Sequence, residues 1–355
     1  MNKLKFALVG CGRIARKHID ALKDLGEAEL VSLCDTNEKR AKEYGEQLGI
    51  SYYNNYDEML KKEKVDIVNI LTPSGLHARH TVDIVRKYQK HIVVEKPMAL
   101  KLNDADEMIR TCDEHGVRLF VVKQNRYNLP VIKLREALEE GRFGKMVMGT
   151  VRVRWSRHQH YYDMDDWRGT WAMDGGVLTN QASHHIDLLE WMMGQPIEVS
   201  AQTATRLVDV EVEDTGAVII KFASGALGII EATTATRPKD LEGSISIMGE
   251  KGSVVIGGFA VNQMETWQFE DERPEDSEVM EKYKENPPNV YGFGHRRYLE
   301  DVIDAIKNNK KALVDGLEGR KSLELINAIY ESVETGKKVT LRFQPTKSKL
   351  GVVDE

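Results

Sequence analysis

Cysteine is scarce in this chain: Cys11, Cys34 and Cys112 are the only three in 355 residues. Their spacing matches no metal-binding pattern and an odd number cannot all pair, so neither a disulfide scaffold nor a cysteine-ligated metal centre is expected. They read as free thiols in a reducing cytosol, and a cytoplasmic location goes with that reading. Long apolar runs are missing too. Stretches such as residues 65–71 have strand length, far below the roughly 18 residues that cross a membrane. The opening residues hold no apolar stretch of signal-peptide length and no cleavage site, so no secretory leader is expected. Charge of one sign is in short supply: 50 Lys and Arg against 56 Asp and Glu give a net charge of −6. Such a surface offers a nucleic acid little to hold. Internal repeats and low-complexity tracts are absent. What is present is an ordinary globular composition, 41% apolar and 30% charged, on a chain long enough for two domains.

The first third alternates strand and helix. The apolar run 5–9 ends at glycines. Ile14, Ile19, Leu22 and Leu25 then recur at helical spacing until Gly26. A strand over 29–34 ends at Asp35, and a helix over 37–48 follows, with Thr36 as its cap. Strands over 65–71, 91–94 and 118–122 alternate with helices over 76–88 and 104–115. This rhythm predicts a parallel, doubly wound sheet in a domain of residues 1–124. Beyond it the pattern changes. After a helix over 131–139 come strands over 147–155, 199–207, 217–222, 226–234, 244–248 and 253–256, several joined by short glycine-bearing turns. One helix, about 182–193, interrupts them. Helices return over 295–307 and 319–333. An α+β domain with a large, mostly antiparallel sheet is predicted for residues 125–343. Residues 270–288 read as a surface loop and 344–355 as a tail.

The glycines after the first strand carry the first chemical signal. Gly10, Gly12 and Ala15 stand in the G-x-G-x-x-G/A pattern, in the strand–turn–helix context that makes it a Rossmann dinucleotide turn. Gly10 permits the tight turn, Gly12 lets the backbone approach a pyrophosphate, and Ala15 allows close packing of helix on strand. Arg13 and Ile14 line the same helix start. Asp35, 20 residues after Ala15, suits the ribose hydroxyls and repels a 2′-phosphate, so NAD is favoured over NADP; Arg13, Lys39 and Arg40 stand near enough to favour the phosphate instead. Ligands of such sheets bind beyond the carboxyl ends of the strands. Thr72, Pro73, His77, Glu95, Lys96 and Asn125 are therefore candidate cofactor neighbours, and Lys96 is placed to reach a substrate hydroxyl.

A second signal is the stretch 174–191, DGGVLTNQASHHIDLLEW. Asn180, His184 and Asp187 share one face of any continuous helix, and His185 is rotated about 100° away. Histidine is the natural general base near neutral pH, and either of the two qualifies.

These marks together identify the chain as a member of the Gfo/Idh/MocA family of nicotinamide-dependent sugar oxidoreductases. They are Gly10-Cys-Gly-Arg-Ile-Ala15, Thr72-Pro73, Glu95-Lys96-Pro97, Gly175-Gly176, His184-His-Ile-Asp187 and the run 328–336, AIYESVETG. The resemblance covers roughly residues 3–343. It implies a catalytic lysine at Lys96, a catalytic histidine at His184, and assembly into dimers or tetramers through the antiparallel sheet. Many members carry an aspartate four residues before that histidine. Here Asn180 stands there, able to orient a hydroxyl but not to take a proton. The base role then falls to His184, with Lys96 assisting and His185 as the rival. In the implied reaction a sugar secondary alcohol loses its proton to His184 and its hydride to NAD, while Lys96 steadies the oxygen.

The stretch 152–170, RVRWSRHQHYYDMDDWRGT, bears on the substrate. Arg152 and Arg154 alternate as on one face of a strand. Arg157, His160, Tyr162 and Arg168 fall after that strand and suit a carboxylate or a diphosphate. Tyr291 and His295, near a later helix start, are further substrate candidates. The stretch resembles one branch of the family, the UDP-N-acetyl-2-amino-2-deoxyglucuronate 3-dehydrogenases. The expected substrate is therefore a UDP-linked N-acetylated uronic acid. A free sugar or a cyclitol such as inositol, and a non-catalytic nucleotide sensor, are the alternatives.

Overall fold

The computed structural model describes residues 3–283, 294–341 and Leu350, so the expected tail falls outside the described residues except for that leucine. The chain divides into two compact units, Met1–Val122 with His295–Arg320, and Lys123–Gly294 with Lys321–Glu355.

In the first unit six strands form one parallel sheet: β1 (Leu4–Val9), β2 (Ala28–Cys34), β3 (Ser51–Tyr53), β4 (Ile67–Ile70), β5 (His91–Val94) and β6 (Leu119–Val121). Their order is β3-β2-β1-β4-β5-β6. Phe6, Leu8, Ile67, Val68, Ile92 and Val93 are completely buried. Such near-continuous apolar strands are what a sheet covered on both faces requires. Helices α1 (Ala15–Lys23), α2 (Glu38–Leu48), α3 (Tyr56–Lys62), α4 (His77–Tyr88) and α5 (Leu102–Glu114) connect the strands. The strand order reverses between β1 and β4, the place where doubly wound sheets bind ligands. The short β3 and α3 escape the sequence pattern because three and seven residues carry too few periods to register. The cap of α2 is Asn37 rather than Thr36: its extended backbone lets its side-chain oxygen accept from the Arg40 N–H.

The second unit holds α6 (Leu129–Glu139), β7 (Met146–Arg154), α7 (Gln159–Tyr162), α8 (Ser183–Met193), β8 (Pro196–Ala204), β9 (Thr215–Phe222), β10 (Leu227–Thr233), β11 (Glu242–Gly249), β12 (Gly252–Gly257), β13 (Gln263–Phe269) and α9 (Asp276–Lys282). After α10 (Gly294–Lys307) and α11 (Gly316–Thr335), β14 (Val339–Thr340) completes its sheet. The eight strands run in the order β13-β12-β11-β7-β10-β9-β8-β14. All neighbours are antiparallel except β7 and β10. One face is apolar at every second residue, with Val151, Val153, Ile220, Ile230, Ile245 and Ile247 buried, and α8 packs on it. The approach is close at Gly149, where a Cβ would stand 2.7 Å from Met193. The other face leaves Ile219, Leu227, Val147 and Met248 exposed.

Two segments differ from expectation. The predicted loop over 270–288 contains α9, pinned where the Arg142 guanidinium forks onto Asp276 at 2.9 and 2.6 Å and the Trp267 indole donates to the same carboxylate. The segment His295–Arg320, which strand–helix alternation assigns to the second domain, packs with the first unit. Arg118 there donates to the carbonyls of Ala305 and Lys310, and Gly319 lies so close to Val121 that a Cβ would come within 2.4 Å. Among the described residues no helix is long and apolar enough to cross a membrane.

Candidate active site

Gly10 follows β1 with φ +105°, and a Cβ there would stand 2.7 Å from the Leu71 carbonyl group. Only glycine meets both conditions. Around Gly12 nothing lies within 4 Å of where a Cβ would be, so the backbone is open to a ligand. Helix α1 starts with no side-chain cap, leaving its first N–H groups for an anion. Asp35 ends β2 with its carboxylate fixed by the backbone N–H groups of Cys11 at 2.7 Å and Asn37 at 2.8 Å. Open backbone, an uncapped helix start and a fixed carboxylate fit the pyrophosphate and ribose of NAD. Arg13 stands exposed at the same turn. The Cys11 and Cys34 thiols beside it are buried, and burial pushes Cys11 up to about 12.

At the ends of the next strands, Thr72 and Pro73 are half-buried. His77 is buried, and its two ring nitrogens lie 2.8 Å from the carbonyl oxygens of Thr72 and Pro97, to one of which a neutral ring can donate. It clamps two strand-end turns together. Burial pushes its pKa down while the two carbonyls pull it up, and burial wins. Glu95 is buried as well. His18 Nε2 donates to its Oε1 at 3.0 Å, the Lys96 N–H donates to Oε2, and His295 Nε2 stands 3.9 Å from Oε1. Burial works to raise the Glu95 carboxyl, but the His18 hydrogen bond and the electrostatic pull of His18, His295 and Lys96 together hold it at about 2. His295, a substrate candidate by sequence, is thus buried in the first unit with His18 and Glu95. Lys96 is half-buried, and its peptide bond to Pro97 is cis. Tyr291 lies outside the described residues.

In the second unit α8 begins at Ser183, so the shared helical face holds His184 and Asp187 but not Asn180, which stands in the turn before it. His184 is 8% exposed, with its Nε2 at 2.9 Å from the side-chain amide of Gln124. The rival His185 is completely buried with its ring edge-on to Trp155, and burial pushes its pKa to about 4. One turn on, Arg126 forks onto Asp187 at 2.8 and 2.9 Å, and Lys123 Nζ stands 3.5 Å away. Lys123 also donates to the Ser322 hydroxyl at 2.6 Å. Burial works to raise the Asp187 carboxyl, and the two cations bring it below the usual range. Glu190, the next acid along the helix, is pushed up to about 8 by burial and by Asp187. Sequence pattern marks Asp187 and misses Gln124, Arg126 and Lys123, which stand some 60 positions away and become neighbours only through folding. Asn125, beside them, is buried with a side-chain oxygen that has no hydrogen-bond partner.

Asn180 donates its amide to Asp174 at 2.6 Å, and Asp174 also accepts from the Gly169 N–H. A carboxylate can only accept here, which fixes the amide nitrogen toward it. Below the Gly175-Gly176 turn lies Glu213, whose Oε1 accepts from the Tyr330 hydroxyl at 2.8 Å and the Leu178 N–H at 3.0 Å. A Cβ on Gly176 would come within 2.1 Å of this carboxyl, hence the glycine. Burial raises Glu213 to about 7. Between about 4.5, where the unfolded chain loses this proton, and about 7 the folded chain still holds it. Stability therefore falls as pH rises through that window, by up to about 1.4 kcal/mol per pH unit. Glu213→Gln is expected to remove this part of the slope in urea unfolding measured from pH 4.5 to 8; an unchanged slope contradicts it.

The arginine-rich stretch divides. Arg152 and Arg154 pair with Glu231 and Glu242 on the neighbouring strands β10 and β11, as cross-strand ion pairs. Arg157 is held by Asp240 at 2.9 Å and lies over the rings of Trp155 and Tyr161. Arg168 is held by Asp165 at 3.0 Å and by the Tyr161 hydroxyl, and lies over Tyr161 and Trp167. His160 is exposed, while Tyr162 is buried with its hydroxyl 3.2 Å from that of Thr234.

Two family models match the chain: "Oxidoreductase family, NAD-binding Rossmann fold" over residues 4–123, and "Oxidoreductase family, C-terminal alpha/beta domain" over residues 135–341. The chain belongs to the Gfo/Idh/MocA oxidoreductase family. It is an NAD-dependent enzyme of the sugar and polyol dehydrogenase type. Two solved members are similar to it throughout. The WlbA dehydrogenase of Bordetella pertussis, in complex with NADH and UDP-GlcNAcA, is 42% identical, with 96% of this chain and 98% of that one covered and a TM-score of 0.90. Its counterpart from Chromobacterium violaceum, with the same two ligands, is 44% identical with 96% of each chain covered and a TM-score of 0.90. The myo-inositol 2-dehydrogenase of Thermotoga maritima is 29% identical over 95% of this chain and 98% of its own.

Proposed function

We propose that the enzyme oxidises the C3 hydroxyl of a UDP-linked N-acetylated uronic acid, with NAD as the acceptor. The observation that carries this reading is the 42–44% identity, over nearly the whole chain, to two dehydrogenases that hold NADH and UDP-GlcNAcA together. The 29% identity to an inositol dehydrogenase supports the second reading, a cyclitol substrate.

NAD, when bound at the turn of Gly10, Gly12, Arg13 and Ile14 with its ribose on Asp35, supplies the oxidant by taking up hydride from the sugar carbon. Every other part of the reaction belongs to the chain. His184 accepts the hydroxyl proton at Nε2 as that oxygen turns toward a carbonyl, the substrate hydroxyl taking the place of the Gln124 amide that donates to this nitrogen in the free enzyme. Lys96, cationic, stabilises the negative charge that develops on the oxygen. Asn180, held by Asp174 in the turn before α8, orients a substrate hydroxyl. Arg157 and Arg168, each fixed by a carboxylate and stacked on aromatic rings, are stiff enough to read the carboxylate or diphosphate of the substrate.

Deuterium at C3 tests the position of oxidation. UDP-GlcNAcA labelled there is expected to pass its label to the cofactor, read as a one-dalton gain in NADH by mass spectrometry. NADH that forms unlabelled, or no turnover at all, contradicts the reading.

A further inference from the structure

His18, Glu95 and His295 come from three separated parts of the first unit: helix α1, the end of β5 and the start of α10. All three are buried, at 0, 6 and 4% exposure. Each offers one ligand-type atom, an imidazole nitrogen or a carboxylate oxygen, and these three atoms all lie within 4.8 Å of one another. Among the described residues this is the one group of three or more histidine, cysteine or acidic side chains gathered so tightly. The carboxylate lies 3.0 Å from one imidazole nitrogen and 3.9 Å from the other. Ligands about 2.0–2.1 Å from a tetrahedral zinc ion stand roughly 3.3 Å from one another. The two carboxylate–imidazole distances lie on either side of that spacing, and 3.9 Å is too long for a hydrogen bond. Neither histidine enters the reaction assigned above.

We propose that His18, Glu95 and His295 bind one divalent transition-metal ion of the zinc type.

The donor set selects that class. Two imidazole nitrogens and one carboxylate oxygen suit zinc, cobalt or iron, whereas calcium and magnesium take oxygen donors in larger number. The site is also supported from behind. Asn69 bonds the other ring nitrogen of His18, Nδ1, at 2.9 Å, the kind of outer contact that orients a ligating imidazole. The proton balance closes locally. Without metal, His18 carries its proton on Nε2 and donates it in a hydrogen bond to the Glu95 carboxylate. With metal, the ring takes the Nδ1–H form and donates to the Asn69 carbonyl oxygen once that amide turns over. The fourth position takes a water. Glu95 is bonded in sequence to Lys96, so the ion would fix the turn that carries Lys96 to α1 and α10. The proposal does not depend on which sugar is the substrate.

The test uses the full chain, stripped with a chelator and titrated with cobalt(II), followed by visible absorption and metal analysis. One cobalt per chain is expected, with the strong bands of a four-coordinate ion and no thiolate charge-transfer band. Zinc should displace it. Glu95→Gln and His295→Gln are each expected to abolish the bands, and Asn69→Ala to weaken binding by about 10–100-fold. Only the weak absorption of aqueous cobalt in the unaltered chain overturns the proposal, whether or not the variants fold. A thiolate band overturns it by pointing to Cys11, Cys34 or Cys112. Bands that survive both ligand replacements overturn it by pointing to surface histidines such as His158 and His160.

Discussion

Lys96→Ala is expected to lower kcat for alcohol oxidation by about 10²–10³-fold, the range found when one preorganised donor to a developing oxyanion is removed. The lysine stands just past the carboxyl end of β5, where a doubly wound sheet presents its chemistry, half-buried beside the buried Glu95. Its charge matters most when the substrate oxygen has lost its proton and not yet become a carbonyl. The loss should therefore fall on kcat, read as NADH formation at saturating sugar, with far less change in NADH affinity by fluorescence titration. His184→Ala removes the proposed proton acceptor, and a loss of about 10²–10⁴-fold is expected. If the two groups act on one proton-transfer step, as proposed, the double variant is expected to lose less than the product of the two effects. Full turnover in Lys96→Ala sinks the assignment.

The second large effect is on stability. Asp187→Ala is expected to cost about 3–5 kcal/mol, because it leaves Arg126 and Lys123 buried with their countercharge gone. Each of the three groups is about 2–3% exposed, so water cannot take over the role of the carboxylate. The pH dependence follows from the sign of the shift. The folded Asp187 carboxyl lies below its usual value, so its contribution is present above the unfolded pKa near 3.9 and is lost as pH falls below it. The penalty should appear in full in urea unfolding at pH 7 and shrink in acid. A loss under about 1 kcal/mol at pH 7 contradicts the account of this network.

How much was legible in the sequence depended on how local the signal was. The dinucleotide turn is written in consecutive residues, and Gly10, Gly12 and Asp35 stand in the structure with the backbone and contacts that the motif demands. The parallel sheet was legible because strands buried on both faces read as unbroken apolar runs. Elements with a mixed or brief pattern were missed: β13 and α9 have too few apolar residues to separate them from a charged loop, and α9 is held by Arg142, more than 130 positions earlier. Pairings across sequence were likewise invisible. Nothing local ties Arg126 to Asp187 or His18 to Glu95. Arg152 and Arg154 are the instructive case: their alternation predicts a strand face correctly, and only the fold reveals Glu231 and Glu242 on the adjoining strands as their partners. Asn180 differs for a related reason. Spacing puts it on the face of His184, but α8 starts three residues later, and Asp174 takes hold of the asparagine instead.

The most direct measurement of the central claim is a comparison of initial rates of NADH formation with UDP-GlcNAcA and with myo-inositol, NAD being saturating. With Arg157 and Arg168 reading the charged group as proposed, kcat/KM is expected to be at least about 10³-fold higher for UDP-GlcNAcA, since a cyclitol gives them no such group to bind, a loss of about 4 kcal/mol or more. An equal or greater kcat/KM for myo-inositol contradicts it.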